Sequence, residues 1–171
     1  MKYRALVLDL DGTLVDDSGV IRPRTMQSLR QAVERGVRVM VATGRSELGA
    51  LPVLRELGLD TPAVVFNGAG IYCPVEERLL RHSVLSDHVV EHTFEYAIRE
   101  DLMMMVAGVG KKFVSHPRNR NERMAVELLE ALEYRGRDEL PRDELVRVSV
   151  FSDRHGDADG FYEHFSNGLA D

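Results

Sequence analysis

Apolar positions in the first half of the chain alternate between two periods. Tyr3 to Leu10 is an almost unbroken apolar run, predicted to be a strand buried on both faces, as in a parallel sheet. Arg22-Pro23 opens a helical stretch in which Met26, Leu29 and Val33 recur at spacings of three and four, and Gly36 stops it. Val37 to Ala42 is the next buried strand. Ser46 caps a second helix with Leu48, Leu51, Leu54 and Leu57 on its inner face, Gly58 ends it, and Ala63 to Phe66 is a third strand. This β-α-β-α-β rhythm predicts an α/β fold with a wound parallel sheet and right-handed crossovers.

After Phe66 the rhythm changes. Asn67-Gly68 marks a turn, and Ile71–Cys73 with Leu79–Val84 form a predicted hairpin. Ser86 caps a helix running to Arg99. Leu102 to Ala107 and Lys111 to His116 are strands around Gly108-Val109-Gly110. Glu122 to Tyr134 is an amphipathic helix with Ala125, Leu128, Leu129 and Leu132 on one face. Val146, Val148 and Val150 alternate in a half-buried strand, Leu145 to Phe151, and Asp157 to Phe165 is a last short helix. Two units are expected: residues 1–84, and an α+β unit over 85–171.

Composition narrows the classes. With 171 residues, 44% apolar and 29% charged, the chain is an ordinary globular one. No apolar run approaches the roughly 18 residues of a membrane span, and Asp9 interrupts the first one, so neither a span nor a signal peptide is expected. One cysteine, Cys73, points to a reducing cytoplasm and fits a small buried apolar residue. The 28 acidic residues outnumber the 22 basic ones, and the surplus lies entirely beyond residue 85. A general nucleic-acid binder is excluded on that balance, and the asymmetry suggests two units with different surfaces.

In a wound sheet, ligands bind beyond the carboxyl ends of the strands. Polar clusters follow all three strands: Asp9-Leu10-Asp11-Gly12-Thr13, Thr43-Gly44-Arg45 and Asn67-Gly68-Ala69. Asp9 and Asp11, one residue apart, repel unless a cation relieves them, and hard oxygen donors favour Mg²⁺. Thr43-Gly44-Arg45 ahead of a helix N-terminus supplies a hydroxyl and backbone amides suited to phosphate. The alternatives are solvated capping aspartates and a plain capping turn.

These residues carry a resemblance. Asp9-Leu10-Asp11-Gly12-Thr13-Leu14 resembles the first motif (DxDGT) of the haloacid dehalogenase-like phosphatases, and Ala42-Thr43-Gly44-Arg45 resembles the second as written in their Cof-type branch. Phe66-Asn67-Gly68-Ala69 is similar to the same branch, where a cap is inserted after the third strand. The resemblance implies a partial core over 1–84 and an inserted α/β cap over 85–171. It implies Asp9 as nucleophile forming an aspartyl-phosphate, and Asp11 as general acid and then base. Mg²⁺ would be held by the Asp9 carboxylate and the Asp11 backbone carbonyl. Thr43 and the Gly44 amide would bind phosphoryl oxygens, Arg45 and Asn67 would meet substrate or support the site, and Thr13 would brace the first loop. The implied substrate is a small phosphorylated metabolite, hydrolysed in the cytoplasm.

The family's third motif, a lysine, and its fourth, an acidic cluster near Gly-Asp, follow the cap. Gly156-Asp157-Ala158-Asp159-Gly160 resembles the latter only superficially, and Lys111 and Lys112 fall in a hairpin. A competing reading is therefore a truncated or degenerate, non-catalytic member that binds metal and phosphate and needs a partner or further residues. The first strand would then keep an open edge, to be covered by a second copy in a homo-oligomer, an exchanged segment or further chain. Among smaller signals, His88 and His92 are expected on a solvated helix face rather than in a zinc site, and Met103-Met104-Met105 in the core.

Overall fold

The computed structural model describes residues 3–16, 18–127, 129, 132–152, 154 and 157–168. The chain divides into two compact units, Met1–Ser83 and Val84–Asp171. The architecture is mixed α/β.

In the first unit, β1 (Ala5–Leu8) pairs in parallel with β2 (Arg38–Val41), with Leu8 opposite Val41. A parallel bridge from Ala42 to Val64 brings β3 (Ala63–Val65) to the other side of β2. Helix α1 (Pro23–Glu34) begins on proline, which has no N–H to leave unpaired. Helix α2 (Glu47–Leu57) is capped by the Ser46 hydroxyl, which accepts from Gly49 N at 3.3 Å, and ends on left-handed Gly58. β3 leads into an antiparallel meander with β4 (Gly70–Cys73) and β5 (Arg78–His82).

Expectations about burial change on three elements here. β1 is shorter than the Tyr3 to Leu10 run and is not buried on both faces: Leu6 and Val7 are 38% and 57% exposed. Among the described residues only β2 pairs with it, so one edge and much of its surface stay open. On α1, Leu29 is buried but Val33 is exposed. The buried face of α2 is made by Ala50, Val53, Leu54 and Leu57, with Leu48 and Leu51 only half-buried.

The second unit is a four-stranded sheet, β8-β7-β6-β9. β6 (Met103–Gly108) and β7 (Lys111–Ser115) form a hairpin, β9 (Leu145–Phe151) runs antiparallel to β6, and β8 (Glu133–Arg135) is parallel to β7. The period of two puts Met104 and Val106 on one face with α3 (Asp87–Arg99), and Met103 and Met105 on the other with Val126. The methionines are core residues. Val126 belongs to α4 (Arg120–Glu127), and α5 (Asp157–Gly168) packs Phe161 and Phe165 against the α3 face.

The predicted helix over Glu122 to Tyr134 is corrected. Helix α4 stops at Glu127, and Glu133–Arg135 is a strand. Ala125 is exposed, Leu128 lies outside the described residues, and Leu129 and Leu132 pack on the Met103 face. Leu129 and Leu132 cover the sheet from outside a helix, a role that the same spacing fits equally. Asp157–Gly160 opens α5, while Gly156 lies outside the described residues.

Glu122, buried on α4, is held by Arg118, whose backbone N donates to Oε2 at 2.7 Å and whose Nη2 donates to Oε1 at 2.5 Å. The Arg118 hydrogen bond, ahead of the opposing cost of burial, keeps the Glu122 carboxyl below its ordinary value of 4.5. A lowered carboxyl stabilises the fold above that value and loses its contribution as pH falls through the folded-state value. Arg118→Met should therefore destabilise the unit by about 1–2 kcal/mol near neutrality, with the difference shrinking below about pH 4. Denaturant melts across pH check this.

Candidate active site

Register brings the loops together. Leu8 is opposite Val41, Ala42 N donates to Leu8 O at 2.9 Å, and Thr43 N donates to Val64 O at 2.9 Å. The carboxyl ends of β1, β2 and β3 therefore lie side by side, with Asp9, Thr43 and Asn67 each just beyond one of them.

Beyond β1 the chain turns sharply. The fully buried Leu10 anchors the turn, and its carbonyl accepts from the amides of Thr13, Leu14 and Val15 at 3.2, 2.9 and 2.9 Å. Gly12 sits at φ +74°, a backbone conformation that any side chain would strain. Asp9, Asp11 and Thr13 are left exposed. Among the described residues no hydrogen-bond donor or cation meets the Asp9 carboxylate.

Asp11 is held differently. Arg45 Nε lies 3.2 and 3.1 Å from its two oxygens, and Nη2 donates to Oδ1 at 2.6 Å. Nη1 of the same guanidinium donates to Gly49 O at 3.1 Å, which pins the fork to the first turn of α2. Opposite charges at adjacent strand ends were visible in the sequence, but not that they pair.

Thr43 is buried, and its hydroxyl accepts from Arg45 N at 3.1 Å. Its own hydrogen meets no acceptor among the described residues and is free for an anion. Asn67 N donates to Thr43 O at 3.2 Å and Phe66 N to Arg45 O at 2.8 Å, stitching the second and third loops together. Asn67 itself adopts φ 55°. The third loop presses on the second: a methyl group on Gly44 would lie 2.7 Å from Asn67 Oδ1. Gly44→Ala should displace the exposed Asn67 side chain at little cost in melting temperature, yet weaken inorganic phosphate binding about tenfold, about 1.4 kcal/mol. Calorimetry beside a thermal melt checks both halves.

Sequence reasoning passed over Asp16. Its Oδ1 accepts from Ser18 N at 3.1 Å, Ser18 Oγ at 2.6 Å and Val20 N at 3.2 Å, shaping a hairpin closed by a Val15–Ile21 bridge. The Ser18 hydroxyl, first among these partners, holds the Asp16 carboxyl below its usual range. An aspartate two residues before a Ser-Gly turn was the available signal.

Among the described residues no group of three or more His, Cys, Asp or Glu side chains is placed to hold a metal. Asp9 and Asp11 supply hard oxygen donors of the kind Mg²⁺ takes. Lys111 and Lys112 lie on β7, within the second unit. No helix among the described residues is long and apolar enough to cross a membrane.

Comparison with known proteins bears on the family and the fold. Over 72 residues the chain is 38% identical to pyridoxal phosphate phosphatase YbhA of Escherichia coli (strain K12), a match covering 42% of this chain and 26% of that protein. Over 70 residues it is 40% identical to HMP-PP phosphatase of Serratia proteamaculans (strain 568), covering 41% and 26%. The crystal structure of a haloacid dehalogenase-like hydrolase from Bacteroides thetaiotaomicron superposes with a TM-score of 0.75 at 22% identity, over 97% of this chain and 63% of that one. The chain thus spans under two thirds of the length of such neighbours, while sharing their fold. The model of one family, haloacid dehalogenase-like hydrolase, matches residues 6–171, and it is to this family that the chain belongs.

Proposed function

We propose that the chain carries a cytoplasmic, Mg²⁺-dependent phosphatase site for small phosphorylated metabolites, with Asp9 as nucleophile. The observation that carries this reading is the contrast between two aspartates in one turn. Asp9 presents an exposed carboxylate without a partner among the described residues, while Asp11 is oriented by the Arg45 fork. A nucleophile must be unencumbered, and a proton carrier must be aimed. The phosphatase names of the sequence relatives support the reaction class.

In the proposed reaction an Asp9 oxygen attacks phosphorus, and the bond to the leaving oxygen breaks, giving an aspartyl-phosphate. Asp11 donates a proton to the departing alcohol. It then takes one from the water that attacks the phosphorus, so that inorganic phosphate leaves and the Asp9 carboxylate is restored. To serve as the acid, Asp11 must first release an oxygen from Arg45 and take up a proton from solvent, which it then passes to the alcohol. The Thr43 hydroxyl and the Gly44 amide hold phosphoryl oxygens, and Asn67 braces Gly44 from the third loop. The Asp9 carboxylate and the Asp11 backbone carbonyl would hold Mg²⁺, which would supply positive charge to offset that of the transferring group. We assign 1–84 to the core and 85–171 to an inserted cap that selects substrate.

The Arg45 fork also favours a second reading, in which the chain binds phosphate and metal without turnover because Asp11 stays engaged. Phosphate release from a panel of phosphorylated metabolites, with Mg²⁺ and with EDTA, separates the two. Mg²⁺-dependent release supports the enzyme. Phosphate binding with no release on any substrate supports the binding protein.

A further inference from the structure

His92 on α3 and His164 on α5 stack face to face, with ring centroids 4.1 Å apart and planes 6° from parallel. This corrects the expectation of a solvated histidine face: His88 is exposed, but His92 is half-buried. Phe165 meets the His92 ring edge-on at 5.3 Å, and Tyr96 lies 4.6 Å from His164. Phe161 closes the seat, edge-on to Tyr96 at 5.6 Å. Both Nε2 atoms are buried and have no hydrogen-bond partner among the described residues.

We propose that this stack is a proton-sensitive latch, which seats α5 on α3 while both imidazoles are neutral and releases it when either takes up a proton. A neutral imidazole tolerates a buried bare nitrogen, losing one weak acceptor interaction. Protonation turns that nitrogen into an N–H with no acceptor and adds a charge in an apolar seat, against a parallel ring. Parallel stacking also directs the two in-plane lone pairs alongside each other instead of toward one point, so one metal ion does not bridge them.

The surrounding charges do not cancel this cost. Burial, then His92, then Arg99 push the His164 imidazole below its ordinary value, while Glu100 and Glu95 oppose them. Glu100 is already paired with Arg99, and Glu91 with Arg142. Arg154 Nη2 donates to Glu100 O at 2.8 Å, adding positive charge nearby. His88 also stacks on His92, with ring centroids 5.9 Å apart. On β9, alternation puts Arg147 on the face opposite Val148 and Val150, which pack against this cluster. Asp159 and Glu163 on α5 are exposed. A lowered histidine leaves docking undiminished above the free value of about 6.5 and weakens it as pH falls below that.

Amide hydrogen exchange of the full chain from pH 7.5 to 5.5, corrected for intrinsic rates, tests the latch. Protection across α5 should fall about tenfold while β6 and β9 keep theirs, separating local release from acid unfolding. In His92→Phe/His164→Phe, which keeps the rings and removes the protons, α5 protection should change less than twofold. Should that variant misfold, imidazole NMR on the unaltered chain decides. His164 titrating below the free value together with loss of α5 protection supports the latch. Titration with α5 protection unchanged, or equal loss in the variant, overturns it.

Discussion

Asp9→Asn is expected to abolish phosphate release, by ~10⁴-fold or more, because an amide oxygen does not make the covalent bond to phosphorus on which both half-reactions depend. Asp11→Asn should slow release by a smaller factor, on the order of 10²–10⁴, since it removes proton transfer but leaves the nucleophile. The two variants should also differ in metal binding. Calorimetry should show weak Mg²⁺ binding to the unaltered chain, absent in Asp9→Asn, where a carboxylate donor is gone. It should persist, weakened, in Asp11→Asn, whose backbone carbonyl is untouched. An Asp9→Asn protein as active as the parent would remove the nucleophile assignment, and one that binds Mg²⁺ equally well would remove the metal assignment.

The second large effect concerns β1. Its neighbour on one side is β2, and among the described residues nothing pairs with its other edge. Tyr3, Leu6 and Val7 are exposed around it, as is Val33 on α1. An apolar strand with an open row of backbone donors and acceptors pairs with another chain or aggregates. The isolated chain should therefore self-associate at tens of micromolar in light scattering, and Val7→Lys should suppress association by placing a charge where a partner strand would dock. A monomer at high concentration, with slow amide exchange from Ala5 to Leu8, would show that this edge is already satisfied.

What could be read from sequence was local. Ser46 and Ser86 before helical periods, and Gly58 after one, marked helix ends because a cap is a contact within one turn. The β-α-β alternation was legible for the same reason, and it placed the three polar clusters at neighbouring strand ends. Long-range facts were not. A continuous apolar run says that β1 can be buried, but not that Leu6 and Val7 will find cover. Leucines after Glu127 fit a helical period equally with a chain crossing back to pair beside β7. Asp11 and Arg45 were each singled out, yet their bidentate pairing depends on β1–β2 register. His92 and His164 meet only because two helices pack on one face of a sheet.

Trapping the acyl phosphate tests the central claim most directly. The chain is incubated with a phosphorylated substrate and Mg²⁺, quenched, and reduced with borohydride, which converts an aspartyl-phosphate to homoserine. Peptide mass spectrometry should then find the conversion at Asp9 and leave Asp11 unmodified. Mg²⁺-dependent phosphate release with Asp9 unmodified, or conversion at another carboxylate, would contradict it.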